Sequence, residues 1–384
     1  MTLDVAIVAD DLTGALDAAA PFAERGMTTR VALTLAGLDA ALAAGPRSPQ
    51  VVAVNTGSRH LAAAAAARRA EEAAERLRGC HPRLLLKKVD STLRGQVVAE
   101  AVALRRLAGQ RLLVCPAVPS QGRSVQGGEV WVDGEPLARS AYARDALSPP
   151  LAGPLDRAFA AGGVPLVRHV PAPGRSLPEA DCVVDAADDA ALGRIASRLL
   201  EAPDAWLPVC AAGLSCALAQ GLAGPPRPLS KPEASRLLLA VGSRAPRAAR
   251  QLARLRQALP EVAWRRACAA GEDAAGSAVT VVVPGVPDTA SPGAEAVATA
   301  MADAVVAAAG DGRGVLLFLS GGDIALAVLA RLGAEFIALG GEWCRGVPLG
   351  YVDGDAERPV MTKAGGFGEE DLLVRLVAWT RHSS

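Results

Sequence analysis

The chain has few aromatic side chains and no net charge, and these two features indicate how its core is built and which partners are excluded. Aromatic residues make up 3% of the 384 residues although 51% are hydrophobic, a combination that indicates alanine-rich helices packed on sheets. Forty basic residues balance forty acidic ones, so the chain lacks the long-range field that recruits nucleic acid or anionic lipid. The expected partner is therefore a small molecule, with no nucleic acid and no membrane.

Long apolar runs and paired cysteines are missing as well. No apolar run approaches the roughly 20 residues that a membrane-spanning helix needs. A strand-like segment begins within a few residues of the N-terminus, which leaves no room for a signal peptide, and we expect a cytoplasmic protein. The seven cysteines are scattered, and none forms a C-x-x-C pair, so we expect reduced and mostly buried thiols instead of disulfides or a zinc site.

The order of apolar runs predicts two α/β domains with mainly parallel sheets. Strand-like runs alternate with helix-like stretches through most of the chain, and the length suits two domains of about 150 to 200 residues. A proline-rich linker is predicted at 226–236, between a substrate-binding domain at 1–225 and a nucleotide-binding domain at 237–384. The active site is expected in a cleft between the two domains.

A segment rich in glycine and proline at 121–150 is predicted to form a lid or insertion on the first domain. Its center contains Asp133-Gly134, a pair that favours a two-residue hairpin turn. The predicted hairpin has one strand at 129–132 and continues through 137–142.

Three polar loops follow strand-like runs in the first domain: 10–14, 55–59 and 87–95. Ligands of parallel α/β sheets collect at the carboxyl ends of the strands. Asp10 and Asp11 offer two carboxylates where a helix cap needs only one, so we favour a role with substrate hydroxyls over capping. Arg59 is either a clamp for a substrate carboxylate or a solvated side chain in a first helical turn.

The third of these loops is the densest in polar groups. It combines a lysine at the strand end, an Asp-Ser-Thr run, and Arg94 before a glycine. A lysine on an exposed edge would account for Lys87, though less well for Lys88, Asp90 and Arg94 together. Three such loops on one edge indicate a site.

The second domain repeats a different theme, in which a strand is followed by glycine. The three instances are Val241-Gly242-Ser243, Ser320-Gly321-Gly322-Asp323 and Lys363-Ala364-Gly365-Gly366-Phe367-Gly368. Glycine at a strand end lets backbone amides approach a phosphate, and a following helix adds a favourable dipole. No Walker P-loop, protein-kinase signature or dinucleotide fingerprint follows a strand, so a nucleotide site here is of another type.

Two other classes stay open on these residues alone. The segment 212–217 resembles the nucleophile elbow of a serine hydrolase, with Ser215 as the nucleophile, but alanine replaces its last glycine and His382 is the only histidine downstream. A protein that binds a sugar acid or nucleotide without turnover is the other alternative. Covalent labelling of Ser215 or binding without ATP consumption would distinguish them from a kinase.

The order and spacing of these motifs resemble the four-carbon acid sugar kinases, which include D-threonate, D-erythronate and 3-oxo-tetronate kinases. The resemblance runs almost from end to end. It implies that the protein uses ATP and Mg²⁺ to transfer a phosphoryl group to the terminal O4 hydroxyl of an acid sugar. A homo-oligomer is compatible with it. It implies that Asp10 and Asp11 contact substrate, and their strand-end position predicts that one of them, Asp11 or Asp10, is the catalytic aspartate. It implies that substrate is bound by Asn55, Ser58, Arg59, Lys88, Asp90, Ser91 and Arg94. It implies that ATP is bound by Ser243, Gly321, Gly322, Asp323, Gly341, Lys363, Gly365, Gly366 and Phe367.

Two positions depart from the family pattern. Gly57 stands where many relatives carry an acid, which leaves the recognised hydroxyl pattern open. Ile324 stands where threonine is usual and removes a hydroxyl beside the predicted phosphate site. In the predicted mechanism, glycine-loop amides, Lys363 and Mg²⁺ carry the phosphate charge, and an aspartate orients the attacking hydroxyl.

Overall fold

The structure is a computed structural model that describes residues 2–43, 48–144, 148–151, 153–243, 245–267, 277–285 and 293–381. His382, Cys268 and Arg244 lie outside the described residues. The chain divides into two compact units, Met1–Arg227 and Pro228–Ser384. Within the described ranges, no helix combines the length and the apolar character that a membrane span requires.

The N-terminal unit is built on a parallel sheet whose strands are buried along almost their whole length. Its strands are β1 (Val5–Ala9), β2 (Thr29–Ala32), β3 (Val51–Asn55), β4 (Leu84–Lys88), β5 (Arg111–Cys115), β9 (Val167–His169), β10 (Cys182–Val184) and β11 (Trp206–Cys210). Their spatial order is β2-β3-β1-β4-β11-β5-β10-β9, and every neighbouring pair is parallel. Near-continuous valine and leucine runs suit strands that are covered on both faces.

Alanine-rich helices connect these strands. They are α1 (Leu12–Glu24), α2 (Leu38–Ala43), α3 (Ala63–Arg78), α4 (Val97–Ala108), α5 (Leu155–Ala161), α6 (Asp189–Glu201) and α7 (Ala212–Ala223). In α3 the buried positions include Ala66, Ala70, Ala73 and Leu77, a spacing of three to four residues that places them on one helix face. Small alanine side chains allow close helix packing, which explains how a chain with few aromatics builds an extensive core.

A small antiparallel sheet occupies part of the segment predicted as a lid or insertion. Its strands are β6 (Arg123–Gln126), β7 (Glu129–Val132) and β8 (Glu135–Pro136). Asp133 and Gly134 both have positive φ, at 50° and 85°, as a two-residue hairpin turn requires. The continuation predicted at 137–142 is wrong in detail, because Leu137–Arg139 and Ala141–Arg144 form 3₁₀ turns.

The C-terminal unit has a mixed sheet. Its strands are β12 (Arg236–Val241), β13 (Ala263–Arg266), β14 (Val279–Val283), β15 (Val315–Ser320), β16 (Phe336–Cys344), β17 (Val347–Val352) and β18 (Pro359–Lys363). The order is β13-β14-β12-β15-β18-β17-β16; the pairs from β13 to β18 are parallel, and β17 pairs antiparallel with both β18 and β16. Its helices are α8 (Pro246–Ala258), α9 (Ala294–Ala309), α10 (Gly322–Arg331) and α11 (Leu372–Arg381).

The predicted α/β class with mainly parallel sheets is confirmed in both units. The sequence analysis did not anticipate β13 or the antiparallel strands β16 and β17. Glycine at 340, 341, 346 and 350 interrupts the apolar alternation there, and this obscures the strand pattern.

Candidate active site

The three polar loops of the N-terminal unit meet at one edge of its sheet. Strand β1 pairs with β3 on one side and β4 on the other, and Ala9 is in register with both Asn55 and Lys88. The loops that follow these three strands therefore leave the sheet side by side. This confirms their predicted placement at the carboxyl ends of neighbouring parallel strands.

Arg59 binds both aspartates of the first loop. Its Nε donates to Asp10 Oδ2 at 2.7 Å, Nη1 donates to Asp11 Oδ2 at 2.8 Å, and Nη2 donates to Asp10 Oδ1 at 3.1 Å and to Asp11 Oδ1 at 2.9 Å. Four of the five guanidinium N–H donors are thus used on carboxylates of the chain itself. The role of Arg59 as a clamp for a substrate carboxylate stays a prediction, and a substrate carboxylate would have to share this guanidinium with the two aspartates or displace one of them.

Asp11 has a second task as the cap of α1. Its Oδ1 accepts the Gly14 N–H at 2.8 Å and its Oδ2 accepts the Thr13 hydroxyl at 2.5 Å. Capping and charge pairing therefore coincide in one side chain. A Cβ at Gly14 would lie 2.5 Å from Asp11 Oδ1 and 3.2 Å from Lys88 Nζ, so glycine is needed where the helix start approaches both groups.

Asp10 and Asp90, two of the three acids at this edge, are held in the ionised form. Asp10 is 3% exposed, and burial by itself opposes its ionisation; the charges of Arg59, Lys87 and Lys88 outweigh burial and hold its pKa below the usual value. Burial also opposes ionisation of Asp90, but hydrogen bonds from Arg94 and the charge of Arg59 lower its pKa strongly. At neutral pH these carboxylates accept hydrogen bonds from hydroxyl groups and do not donate them.

The third loop forms its own ion pair. Arg94 Nε donates to Asp90 Oδ2 at 2.8 Å and Nη2 donates to Oδ1 at 3.1 Å, while Thr92 also donates to Oδ2. Arg94 remains 34% exposed, and Ser91 is half-buried. Lys88 Nζ donates to the Val89 carbonyl at 3.0 Å, the one hydrogen bond of this ammonium within the described residues. Lys88 is 4% exposed and has N–H donors that no described residue uses.

Beneath the loops lies a buried polar chain that sequence reasoning missed. Lys87 Nζ lies 2.6 Å from Glu100 Oε2, with exposures of 0% and 1%, and Ser58 donates to Glu100 Oε1. The Thr56 and Ser58 hydroxyls are 2.7 Å apart. The interpretation of Lys87 as an edge lysine is wrong because successive strand residues point to opposite faces of a sheet, and both faces here are covered.

Two residues expected to bind substrate are used inside the protein. Asn55 donates to the Leu33 carbonyl at 2.9 Å and accepts the Gly57 N–H at 2.8 Å. Ser58 is fully buried on Glu100. Both side chains hold the loop between β3 and α3 in place. The available signal was Glu100, a single acid in the otherwise apolar first turns of α4.

The glycine loops of the C-terminal unit also come together. Strand β15 lies between β12 and β18, with Ser320 in register with Val241 and with Lys363. Gly321 has φ +112°, and its N–H donates to the Lys363 carbonyl at 2.9 Å. A Cβ at Gly365 would lie 1.8 Å from Ser243 Oγ, so only glycine lets the last loop pass against Ser243.

These loops expose backbone and one acid. Gly366 and Asp323 are exposed, and Phe367 is half-buried. The phenyl ring of Phe367 lies against Gly346 in the turn between β16 and β17, where a Cβ would lie 2.9 Å from the ring. Helix α10 begins at Gly322, so its first amides point toward the same edge. The arrangement suits an anion such as a phosphate.

Lys363 points into its own loop. It is 1% exposed, and its Nζ donates to the carbonyls of Ala364, Gly365 and Phe367 at 3.0, 3.1 and 3.0 Å. Burial, aided by the charge of Arg247, lowers its pKa to about 8. The expected direct contact of this ammonium with phosphate is therefore not the arrangement that the structure has.

Gly341 and Ile324 lie away from the loop surface. Gly341 belongs to β16, beside an irregularity in its pairing with β17, and not to a loop after a parallel strand. Ile324 is buried and packs on Gly242, where a Cβ would lie 2.7 Å from its Cδ1. The isoleucine therefore fills the core behind the loops.

The structure disfavours Ser215 as a nucleophile. Ser215 lies inside α7, which begins at Ala212, and is 1% exposed. An acyl substrate does not reach a hydroxyl buried in this way. Cys210 on the neighbouring strand is equally buried, and burial raises the pKa of its thiol to about 11.

Comparison with known proteins gives each unit a family. Residues 5–218 match the family model described as "Sugar-binding N-terminal domain", and residues 284–373 match "Nucleotide-binding C-terminal domain". A D-threonate kinase of Bordetella bronchiseptica is 37% identical, with 97% of this chain and 96% of that protein covered. A D-threonate kinase of Cupriavidus necator is 34% identical (96% and 95% covered), and a 3-oxo-tetronate kinase of Methylobacterium radiotolerans is 29% identical (98% and 99% covered).

Solved structures share the fold. A Salmonella typhimurium protein described as a putative tRNA synthase has a TM-score of 0.77 at 22% identity, with 97% and 98% of the two chains covered. A Bordetella bronchiseptica protein described as a domain of unknown function, crystallised with citrate as a domain-swapped dimer, has a TM-score of 0.51 at 33% identity, with 98% of each chain covered. Full-length identity to named kinases, together with the two family models, shows that this chain belongs to the four-carbon acid sugar kinases.

Proposed function

We propose that this protein transfers the γ-phosphoryl group of ATP to the terminal O4 hydroxyl of a four-carbon acid sugar, with D-threonate as the first candidate. In this reaction the hydroxyl oxygen forms a bond to the γ-phosphorus, the bond between that phosphorus and the β–γ bridging oxygen breaks, and ADP leaves. The hydroxyl proton passes to solvent water. D-threonate ranks first because it is the substrate named for the two relatives that are more than 30% identical over most of their length.

The observation that carries the proposal is the contrast between the two loop clusters. The cluster in the N-terminal unit presents fixed charges of both signs, with paired aspartates, Lys88 and Arg94. A hydroxy acid needs cations for its carboxylate and acceptors for its hydroxyls. The cluster in the C-terminal unit presents glycine backbone at strand ends and a helix start, which suits phosphate.

On the sugar side, we assign the substrate carboxylate to Lys88 and Arg94. Lys88 keeps unused N–H donors, and Arg94 is the more exposed arginine of the cluster. Asp10 and Asp11 orient the attacking hydroxyl. Carboxylates whose pKa is lowered are weak bases, and a loose phosphoryl-transfer transition state needs alignment more than proton abstraction. Arg59 fixes the two aspartates relative to each other.

On the nucleotide side, Asp323 is the residue that fits Mg²⁺. Its carboxylate is exposed at the start of α10 and has no hydrogen-bond partner in the described part of the chain. Magnesium binds through one or two carboxylates together with substrate phosphates and water, so a single free carboxylate beside a phosphate loop is a suitable donor set. When bound, the ion would neutralise charge on the phosphates.

The test is an ATP-consumption assay with the purified protein and a panel of acids. The panel contains D- and L-threonate, D-erythronate, their 2-oxo and 3-oxo forms, and a five-carbon aldonate as length control. We expect ADP release with one four-carbon acid at least 100-fold faster than with the five-carbon acid, and a product whose phosphorus couples to the C4 protons by NMR. ATP hydrolysis that is independent of every acid would contradict the proposal.

The same preparation tests the assembly. A related chain is described as a domain-swapped dimer, and we propose that this chain also forms a homo-oligomer. Light scattering during size-exclusion chromatography should give about twice the 39.0 kDa chain mass. A monomer mass at assay concentration would contradict the proposal.

A further inference from the structure

The ammonium group of Lys363 has no donor left for a ligand. An ammonium carries three N–H donors, and Nζ donates to three carbonyls of the loop that follows it, those of Ala364, Gly365 and Phe367. No acidic side chain pairs with Lys363 among the described residues. The charge is therefore compensated by the loop's own carbonyl dipoles.

Turning three carbonyls inward also decides where the loop's amides point. In a trans peptide the C=O and the following N–H point in opposite directions, and the described part of the chain contains no cis peptide bond. The N–H groups of Gly365, Gly366 and Gly368 follow the three inward carbonyls and so point away from the ammonium. None of these three amides has a hydrogen-bond partner in the described residues, whereas the Phe367 N–H donates to the Ala364 carbonyl.

Neighbouring groups support this loop from behind. Gln251 is fully buried, and its Nε2 donates to the carbonyls of Phe367 at 3.0 Å and Glu369 at 2.8 Å. Gly365 lies directly against Ser243. The carbonyls of Ala364, Gly365 and Phe367 are thus engaged by the protein, and the amides that follow them remain for a ligand.

We infer that Lys363 is a positioning residue of the nucleotide site: it binds its loop from inside, and the outward amides of Gly365, Gly366 and Gly368 bind a nucleotide phosphate in its place. Successive outward amides form a concave anion site of the kind that binds phosphates. The inference rests on the proposed function for the identity of the anion. It differs from a direct contact because the lysine orders the loop before any nucleotide binds.

The experiment uses the five phenylalanines of the chain as reporters. Protein labelled with ¹⁵N-phenylalanine gives five amide signals, and Phe367→Leu identifies the signal of Phe367. In nucleotide-free protein, Lys363→Met should shift or broaden the Phe367 signal and leave the other four in place. Lys231→Met is the matched control, because Lys231 bonds the Thr380 carbonyl away from these loops, and it should change no signal.

Kinetics give the second readout. We expect Lys363→Met to raise the KM for ATP at least tenfold while the KM for the acid sugar changes less than twofold. Lys363→Arg keeps the charge but not the compact three-donor head, so it should restore only part of the ATP affinity. It also serves as the test variant if Lys363→Met does not fold by circular dichroism.

The outcomes distinguish a positioning role of Lys363 from direct contact between Lys363 and phosphate. A higher KM for ATP with an unmoved Phe367 signal in nucleotide-free Lys363→Met would mean direct contact with phosphate and would overturn the inference. An unchanged KM and an unmoved signal would overturn it as well. If no acid sugar is phosphorylated, the proposed function fails, and ADP titration of the Phe367 signal in wild type and Lys363→Met still decides the role of Lys363.

Discussion

In the sugar-binding unit, ion pairs between buried charged groups set the positions of individual side chains. Arg59 is shared between Asp10 and Asp11, with three of its four hydrogen bonds at 2.7 to 2.9 Å. Charge-assisted bonds of this length are stronger than neutral ones and fix geometry. These bonds therefore hold the two carboxylates in one arrangement, which, under the proposed function, reduces the ordering that the reaction requires.

Asp10→Asn tests the role of this arrangement in turnover. The amide keeps the size of the side chain but removes the charge that orients the hydroxyl, so we expect kcat to fall by about 100-fold. Asp189→Asn, at an exposed position in the first turn of α6, is the control and should leave kcat unchanged. Near-normal kcat in folded Asp10→Asn would refute the role.

The Lys87–Glu100 pair should matter for stability. Glu100→Gln leaves a buried ammonium without its ion-pair partner, which costs about 3 kcal/mol or more of the free energy of unfolding. The double variant Lys87→Met/Glu100→Leu removes both charges and should recover most of this loss. Urea unfolding measures the free energy of unfolding of the single and the double variant.

A surface pair provides the comparison. Glu201→Gln removes the exposed partner of Arg198 and should cost less than about 1 kcal/mol. Equal losses of unfolding free energy for Glu100→Gln and Glu201→Gln would mean that the buried pair stabilises the fold no more than the exposed pair does.

At the scale of elements, glycine decides how closely a loop approaches a charged group. Gly95 has φ +86°, and a Cβ there would lie 2.9 Å from Asp10 Oδ2 and 3.6 Å from Arg59. The connection from β4 to α4 thus passes directly over the ion pair formed by the other two loops. Backbone conformation and site geometry are coupled at this one residue.

Gly95→Ala should therefore damage the site as well as the fold. Gly109, at the end of α4, also has positive φ, at 69°, but no atom lies within 4 Å of a Cβ built there. Gly109→Ala should cost about 1 kcal/mol of stability from backbone strain alone and leave KM values unchanged. We expect Gly95→Ala to raise the KM for the acid sugar at least fivefold in addition. Identical kinetics for both variants would show that the approach to Asp10 is unimportant.

At the scale of the whole molecule, the two units contain groups that titrate in different pH ranges: aspartates in the first unit titrate at acid pH, and a lysine in the second titrates at alkaline pH. The pKa values of Asp10 and Asp90 are lowered, so their charged forms persist well below neutral pH. Lys363 has a pKa lowered to about 8 and loses its charge on the alkaline side. Burial raises the pKa of nearby Cys344 to about 11, so this thiol does not titrate in the same range.

This separation predicts the pH dependence of the kinetics. Below pH 8 Lys363 is protonated and donates to three carbonyls; above pH 8 the neutral amine has only two donors, so the loop loosens and the KM for ATP should rise. The KM for the acid sugar should stay constant between pH 5 and 8. Lys363→Met should lack the alkaline rise in the KM for ATP, and its persistence there would refute the assignment to Lys363.

Much of the fold and the placement of the loops could be predicted because they depend on local pattern. Apolar runs of five or six residues define the parallel strands, and polar or glycine residues directly after them mark the strand ends. Asp10, Arg59, Asp90 and Gly321 were all found in this way. Such signals lie within a few neighbouring positions of the chain.

The sequence by itself determined the α/β class, the strand ends that carry the loops, and the family to which the motifs point. Only the tertiary structure decided the partner of each charge: Arg59 binds aspartates of its own chain, Lys87 faces Glu100, and Lys363 turns toward its own carbonyls. The physical reason is the separation along the chain between the residues that interact. Strand and turn preferences are set by adjacent residues, whereas an ion pair or a buried ammonium depends on which distant segments the sheet brings within about 3 Å.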